Sequence, residues 1–147
     1  MPRVAICAPS RAITEDVARR VAALAADYPD VELHFHPQCF LSDGHFAGSD
    51  EQRIAALVEC ANDPSFDAVW AARGGYGAVR VVEDAVRQFD AAAERKTFLA
   101  YSDGGALLAR LYRDSELSQA YPLARGFCPI LATLIAFFAL GEIPTVL

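Results

Sequence analysis

The residues best suited to chemistry in this chain stand in the stretch Ala100-Tyr101-Ser102-Asp103-Gly104. Ser102 follows a short, mostly apolar run at 97–100 and precedes a helical pattern at 105–112. Small residues lie two places before and two places after the serine, where a sharp strand-to-helix turn leaves no room for side chains. Such a turn pushes a hydroxyl out at the carboxyl end of a strand, the place where open α/β sheets bind their ligands. The chemistry on offer is nucleophilic attack by a serine hydroxyl. A serine after a strand also reads as the cap of the next helix. Asp103 fits that capping role equally well, which leaves Ser102 free to point outward.

A second stretch, Arg73-Gly74-Gly75-Tyr76-Gly77, follows the apolar run 68–71. Three glycines in four positions let a backbone approach a ligand closely and turn its N–H groups toward it. That composition suits an oxyanion or carboxylate cradle, with Arg73 as a carboxylate clamp. The alternative is a tight loop whose arginine pairs with a neighbouring acid. No Gly-Lys-Ser/Thr follows and the spacing is not G-x-G-x-x-G, so phosphate and dinucleotide binding draw no support from it. A nucleophile beside a glycine-rich donor loop is the arrangement that acyl transfer needs.

Both loops must hang from strand ends, and the rest of the chain supplies the frame. Residues 3–8 form a buried-strand run ended by Pro9-Ser10, and 13–26 carry Ile13, Val17, Val21 and Leu24 at helical spacing. Residues 31–35 alternate like a strand, and 37–48 read as a loop rich in turn residues. Ser49-Asp50-Glu51-Gln52 is a capping box that starts a helix, which Asp63-Pro64 stops near Asn62. A strand at 68–71, a helix at 79–89 and a strand at 97–100 complete the alternation. Strands separated by helices predict an α/β fold with a doubly wound, mostly parallel sheet, which brings both loops to one edge.

Bulk properties narrow the classes. The chain has 147 residues, enough for about one domain, with 54% hydrophobic and 22% charged residues and a net charge of −6. No basic stripe with interleaved aromatics is present, so nucleic acid is not an expected partner. Cys7, Cys39, Cys60 and Cys128 have neither zinc-ligand nor disulfide-framework spacing and read as buried reduced thiols. His34 and His36 share a strand face but lack supporting metal ligands, His45 lies in a loop, and no histidine follows Ser102. From residue 115 onward only Glu116, Arg125 and Glu142 are charged, and 126–141 carry no charge. That stretch is shorter than the roughly 20 residues of a bilayer span, so a membrane span is not expected. The tail is atypical of the fold that precedes it.

At these residues the chain resembles the serine LD-carboxypeptidases, or muramoyltetrapeptide carboxypeptidases, relatives of the microcin C self-immunity proteins. The resemblance begins at Ala8-Pro9-Ser10 and continues through Gly48-Ser49-Asp50-Glu51-Gln52-Arg53. It is sharpest over 67–80, around Arg73-Gly74-Gly75-Tyr76-Gly77, and resumes at Phe98-Leu99-Ala100-Tyr101-Ser102-Asp103. It implies a flavodoxin- or Rossmann-like N-terminal domain over 1–113, in a cytoplasmic enzyme that removes the terminal D-alanine from a murein tetrapeptide during peptidoglycan recycling. Ser102 would be the nucleophile. The backbone N–H of Asp103 and one from Gly74 or Gly75 would form the oxyanion hole, and Arg73 and Tyr76 would bind substrate. The resemblance further implies homodimers, and no metal or organic cofactor.

The family's glutamate and histidine come from a C-terminal domain, whereas here residues 114–147 no longer resemble it. The expectation is an N-terminal half with a divergent, frameshifted end, which the coding DNA would test. Two other readings stand beside it: a non-catalytic module that binds a peptide carboxylate, and a flavodoxin-like domain for a phosphorylated ligand.

Overall fold

A strand that is apolar on both faces has to be covered on both. β1 (Arg3–Cys7) is such a strand, buried from Val4 onward, and it lies inside the sheet. It pairs with β2 (Glu32–Phe35) on one side and with β3 (Ala68–Ala71) on the other, and β3 carries β4 (Thr97–Leu99). Every pairing is parallel, in the order β2-β1-β3-β4, so the expected α/β architecture holds. The edge strands β2 and β4 alternate between partly buried and exposed residues, as edges do. This computed structural model describes residues 1–113, of which Met1–Leu111 make one unit. The uncharged stretch 126–141 and Cys128 lie outside the described residues.

Parallel neighbours need crossovers, and α1 (Glu15–Ala25), α2 (Asp50–Asn62) and α3 (Ala78–Val86) provide them. α4 (Gly105–Tyr112) follows β4. The chain leaves β1 for β2 on one side and then returns to β3 on the other. The carboxyl ends of β1 and β3 therefore flank a topological switch point, the usual ligand crevice of such sheets.

Alternate strand residues sort to the two faces. Ala5, Cys7 and Val69 pack against Ala56, Leu57 and Cys60 of α2, Val82 and Ala85 of α3 and Leu107 of α4. Val4, Ile6 and Ala68 face Ala18 of α1, Ile13 and Cys39. Cys7, Cys39 and Cys60 are free and buried. The neighbouring Cys60 thiol and burial push Cys7 well above the ordinary thiol range. Burial, followed by the charge of Cys60, pushes Cys39 up to about 12.

Local signals placed most boundaries. The capping box at Ser49 forms in both directions, with Gln52 N–H donating to Ser49 Oγ at 3.3 Å and Ser49 N–H donating to Gln52 Oε1 at 2.9 Å. α1 starts later than the periodicity predicts because Thr14 caps it, accepting from the Val17 N–H at 3.3 Å. α3 stops at Val86, short of Phe89, and a 3-10 turn at Ala93–Arg95 was not anticipated. The turn-rich segment 37–48 contains one more 3-10 turn, Pro37–Phe40.

Candidate active site

Ser102 sits where β4 breaks into a 3-10 turn, Ser102–Gly104, that leads into α4. Its φ of 56° makes it the one non-glycine residue with positive φ among those described. The left-handed conformation costs an ordinary L-residue about 1–2 kcal/mol. Strain of this kind, held in place by surrounding packing, clusters at working sites. The small flanking residues are explained by the same turn. A Cβ on Gly104 would come within 3.2 Å of Ala100 Cβ, so the two ends of the elbow nearly touch.

The elbow rests directly on the glycine-rich loop. A Cβ on Gly74 would lie 2.6 Å from Ser102 Cβ and 3.0 Å from its Oγ. Only glycine lets the loop approach the exposed serine this closely. Asp103 ties the same two segments together: its Oδ2 accepts a hydrogen bond from the Ala78 N–H at 3.1 Å. Asp103 thus does reach a helix start, but it is that of α3 rather than of the helix that follows it. Its Oδ1 is buried with no hydrogen-bond partner.

The far end of the loop is gripped from two other directions. Ser10, completely buried after β1, accepts from the Gly77 N–H at 3.1 Å. Arg53 of α2, also completely buried, donates through Nη1 to the carbonyls of Gly77 at 2.9 Å and Pro9 at 2.7 Å. Its Nη2 bonds Asp50, whose second oxygen takes Arg80 at 2.7 Å, and the guanidinium lies 4.6 Å from the Phe46 ring centre. A buried guanidinium is tolerated only when so partnered. Sequence reasoning had not singled out Arg53 or Ser10 as parts of this edge. The signal for Arg53 was present: it falls in the buried phase of α2 with Ala56, Leu57 and Cys60, where an arginine has no reason to be unless it bonds inward.

Arg73 is exposed and forms no ion pair among the described residues, so the paired-arginine reading of this loop does not describe it. Tyr76 is 87% exposed at the loop's crest. The structure therefore brings together Ser102, Asp103 and Gly74, with Gly75 packed against Ser10 and Arg11, and leaves Arg73 and Tyr76 facing solvent. The histidines go elsewhere. His36 Nε2 is 2.9 Å from Glu59, the His34 ring lies tilted against Phe66 with centroids 5.3 Å apart, and His45 lines a hollow with Asp43, Phe46 and Arg80. Among the described residues no group of three or more His, Cys, Asp or Glu side chains is placed to hold a metal ion.

A parallel, doubly wound domain with a strained serine elbow facing a glycine-rich loop at its carboxyl edge has its ligand crevice at that strand-to-helix turn. The chain matches the LD-carboxypeptidase N-terminal domain over residues 4–121 and belongs to that family. The match extends past Arg113, the end of the resemblance read from sequence. The murein tetrapeptide carboxypeptidase of Pseudomonas aeruginosa is 29% identical over 124 residues, covering 84% of this chain and 40% of that protein. A muramoyltetrapeptide carboxypeptidase from Oxalobacter formigenes superposes with a TM-score of 0.54 at 26% identity, covering 67% of this chain and 33% of that one. The microcin C7 self-immunity protein, in complex with aspartyl sulfamoyl adenosine, shares the fold with a TM-score of 0.62 at 20% identity, over 76% of this chain and 33% of its own. The chain thus spans less than half the length of these relatives.

Proposed function

We propose that this chain is the nucleophile-bearing half of a serine LD-carboxypeptidase acting on murein tetrapeptide. The observation that carries the reading is Ser102 itself, strained to a φ of 56° with its hydroxyl against Gly74. Ser102 Oγ attacks the carbonyl that precedes the terminal D-residue and gives its proton to a base. The oxyanion is received by the Asp103 N–H and by an N–H of Gly74 or Gly75. Collapse breaks the peptide bond, releases the protonated amine of the D-amino acid and leaves an acyl-serine, which water then hydrolyses. Arg73, exposed and without an ion pair among the described residues, takes a substrate carboxylate, with Tyr76 beside it.

None of the three histidines stands at the elbow, so the base and its orienting acid belong to the part of the enzyme that these relatives have beyond the matched region. Residues 1–113 act as the domain that presents the nucleophile, within a family match that runs on to residue 121. These 147 residues on their own, with no histidine at the elbow, turn over little or no tetrapeptide. Binding, however, does not need the base. A short acylated peptide ending in D-alanine moves the Gly74, Gly75 and Asp103 amide resonances, and the same peptide amidated at its carboxyl end does so far less. Unmoved amides would contradict the reading. Binding of the carboxylate with no acylation of Ser102 under any condition would instead favour a non-catalytic module, a role that the unpaired Arg73 also suits.

A further inference from the structure

Two consecutive residues of the elbow hold the two ends of the loop they face. Ser102 lies against Gly74 at its start, and the Asp103 carboxylate bonds the Ala78 N–H at its end. The second bond has no substitute. α3 begins after Gly77, which offers no side chain to cap it. Nor can Gly77 be replaced by a capping residue, because a Cβ there would lie 2.5 Å from Arg53 Nη1 and 2.7 Å from the Phe46 ring. The first N–H of α3 lies outside the reach of an N-cap side chain in any case, since such a cap bonds the second or third. Here that N–H goes to the Asp103 carboxylate, the group that the positive end of a helix favours. The other oxygen of that carboxylate is buried without a hydrogen-bond partner among the described residues. The place of the carboxylate is set by the bond to α3.

We propose that the Asp103 side chain is a positioning residue: by capping α3 from across the crevice it sets the Ser102 hydroxyl, and the Asp103 N–H beside it, against the Gly74–Gly75 amides. The sequence suggested the backbone N–H of Asp103 for the oxyanion and its side chain as a cap of the helix that follows, not of α3. The carboxylate does not touch substrate; it fixes the spacing between nucleophile and oxyanion donors. Its role presupposes the nucleophile proposed for Ser102, so the test needs one readout that depends on that chemistry and one that does not.

The test uses the full chain and the variants Asp103→Ala and Asp103→Asn, the latter keeping an oxygen that can accept from Ala78. The chemical readout is the rate at which an activated fluorophosphonate labels Ser102 with imidazole supplied as the base, measured where each variant is folded. Asp103→Ala should slow it roughly tenfold or more, since small displacements of reacting groups carry penalties of that order, while Asp103→Asn should stay within about threefold. The geometric readout is the nuclear Overhauser contact between the Gly74 α-protons and the Ser102 β-protons. It should vanish in Asp103→Ala and persist in Asp103→Asn. Asp103→Ser, whose hydroxyl is too short to reach Ala78, gives the same reading if the alanine variant does not fold. The proposal is overturned if Asp103→Ala or Asp103→Ser loses amide-exchange protection at Ala78 yet keeps the Gly74–Ser102 contact, for then Asp103 only caps a helix. If the unsubstituted chain takes no label, the peptidase reading fails, and the Gly74–Ser102 contact alone decides the role of Asp103.

Discussion

The two faces of the sheet are built to different standards. On one face, α2 buries Arg53, Ala56, Leu57, Cys60 and Ala61, and α3 buries Ala78, Val81, Val82 and Ala85. On the other, α1 buries only Ala18, while Val17 is 41% and Leu24 68% exposed. Both helices that reach the candidate site belong to the first face: α2 through Arg53, and α3 through its capped start. Leu107 of α4, the helix that leaves the elbow, packs into the same core. A strained serine persists only where its surroundings over-determine it, and the tightly packed face is where that determination comes from.

Substitutions can break this contrast, and the largest effect belongs to Arg53. Arg53→Ala leaves the Gly77 and Pro9 carbonyls without their donor and Asp50 without its buried partner. Leaving two carbonyls without their donor costs about 1–3 kcal/mol each, while Asp50, a third exposed, keeps Arg80. Urea denaturation should show a loss of that size, and hydrogen exchange should speed up at the Gly77 amide. Leu57→Ala, at a fully buried position on the same face, should cost about 2–5 kcal/mol, whereas Val17→Ala on α1 should cost less than about 1 kcal/mol. Equal losses at the two positions would erase the distinction between the faces.

Smaller effects sharpen it. Ser49→Ala removes one half of the capping box and should cost about 1 kcal/mol. The same hydroxyl is the first cause holding Glu51 below the usual carboxylate range. A depressed carboxyl contributes stability above its unfolded pKa and loses it as pH falls through the folded value. Ser49→Ala should therefore raise the Glu51 pKa, seen by NMR titration, and flatten the acid limb of the stability curve. At the alkaline end the sign reverses. Cys39, pushed up to about 12 by burial, stays protonated in the folded chain while the unfolded thiol ionises near 9. Stability should fall as pH climbs through that window, and Cys39→Ala should lessen the slope.

How much of this was legible in sequence depended on how local the cause was. Ser49 and Gln52 sit three residues apart and mark the start of α2 correctly. The unbroken apolar runs of β1 and β3 and the small residues around Ser102 likewise carry their own signals. The stripe on α1 marked an amphipathic helix, but periodicity does not report what lies opposite, and its groove with Ile6, Phe35 and Trp70 stays open. Arg53 and the reach of Asp103 to Ala78 join residues about 25 positions apart, and only the topology of the sheet brings them together.

The central claim is that Ser102 is a nucleophile held against the glycine-rich loop. Its most direct test is mass spectrometry of the chain after exposure to a fluorophosphonate, with imidazole supplied as the base because none of the three histidines stands at the elbow. A single adduct on Ser102 is expected, absent from Ser102→Ala and also from Gly74→Ala, whose methyl would occupy the space of the serine. An adduct that persists in Ser102→Ala, or an intact chain that takes none, would contradict it.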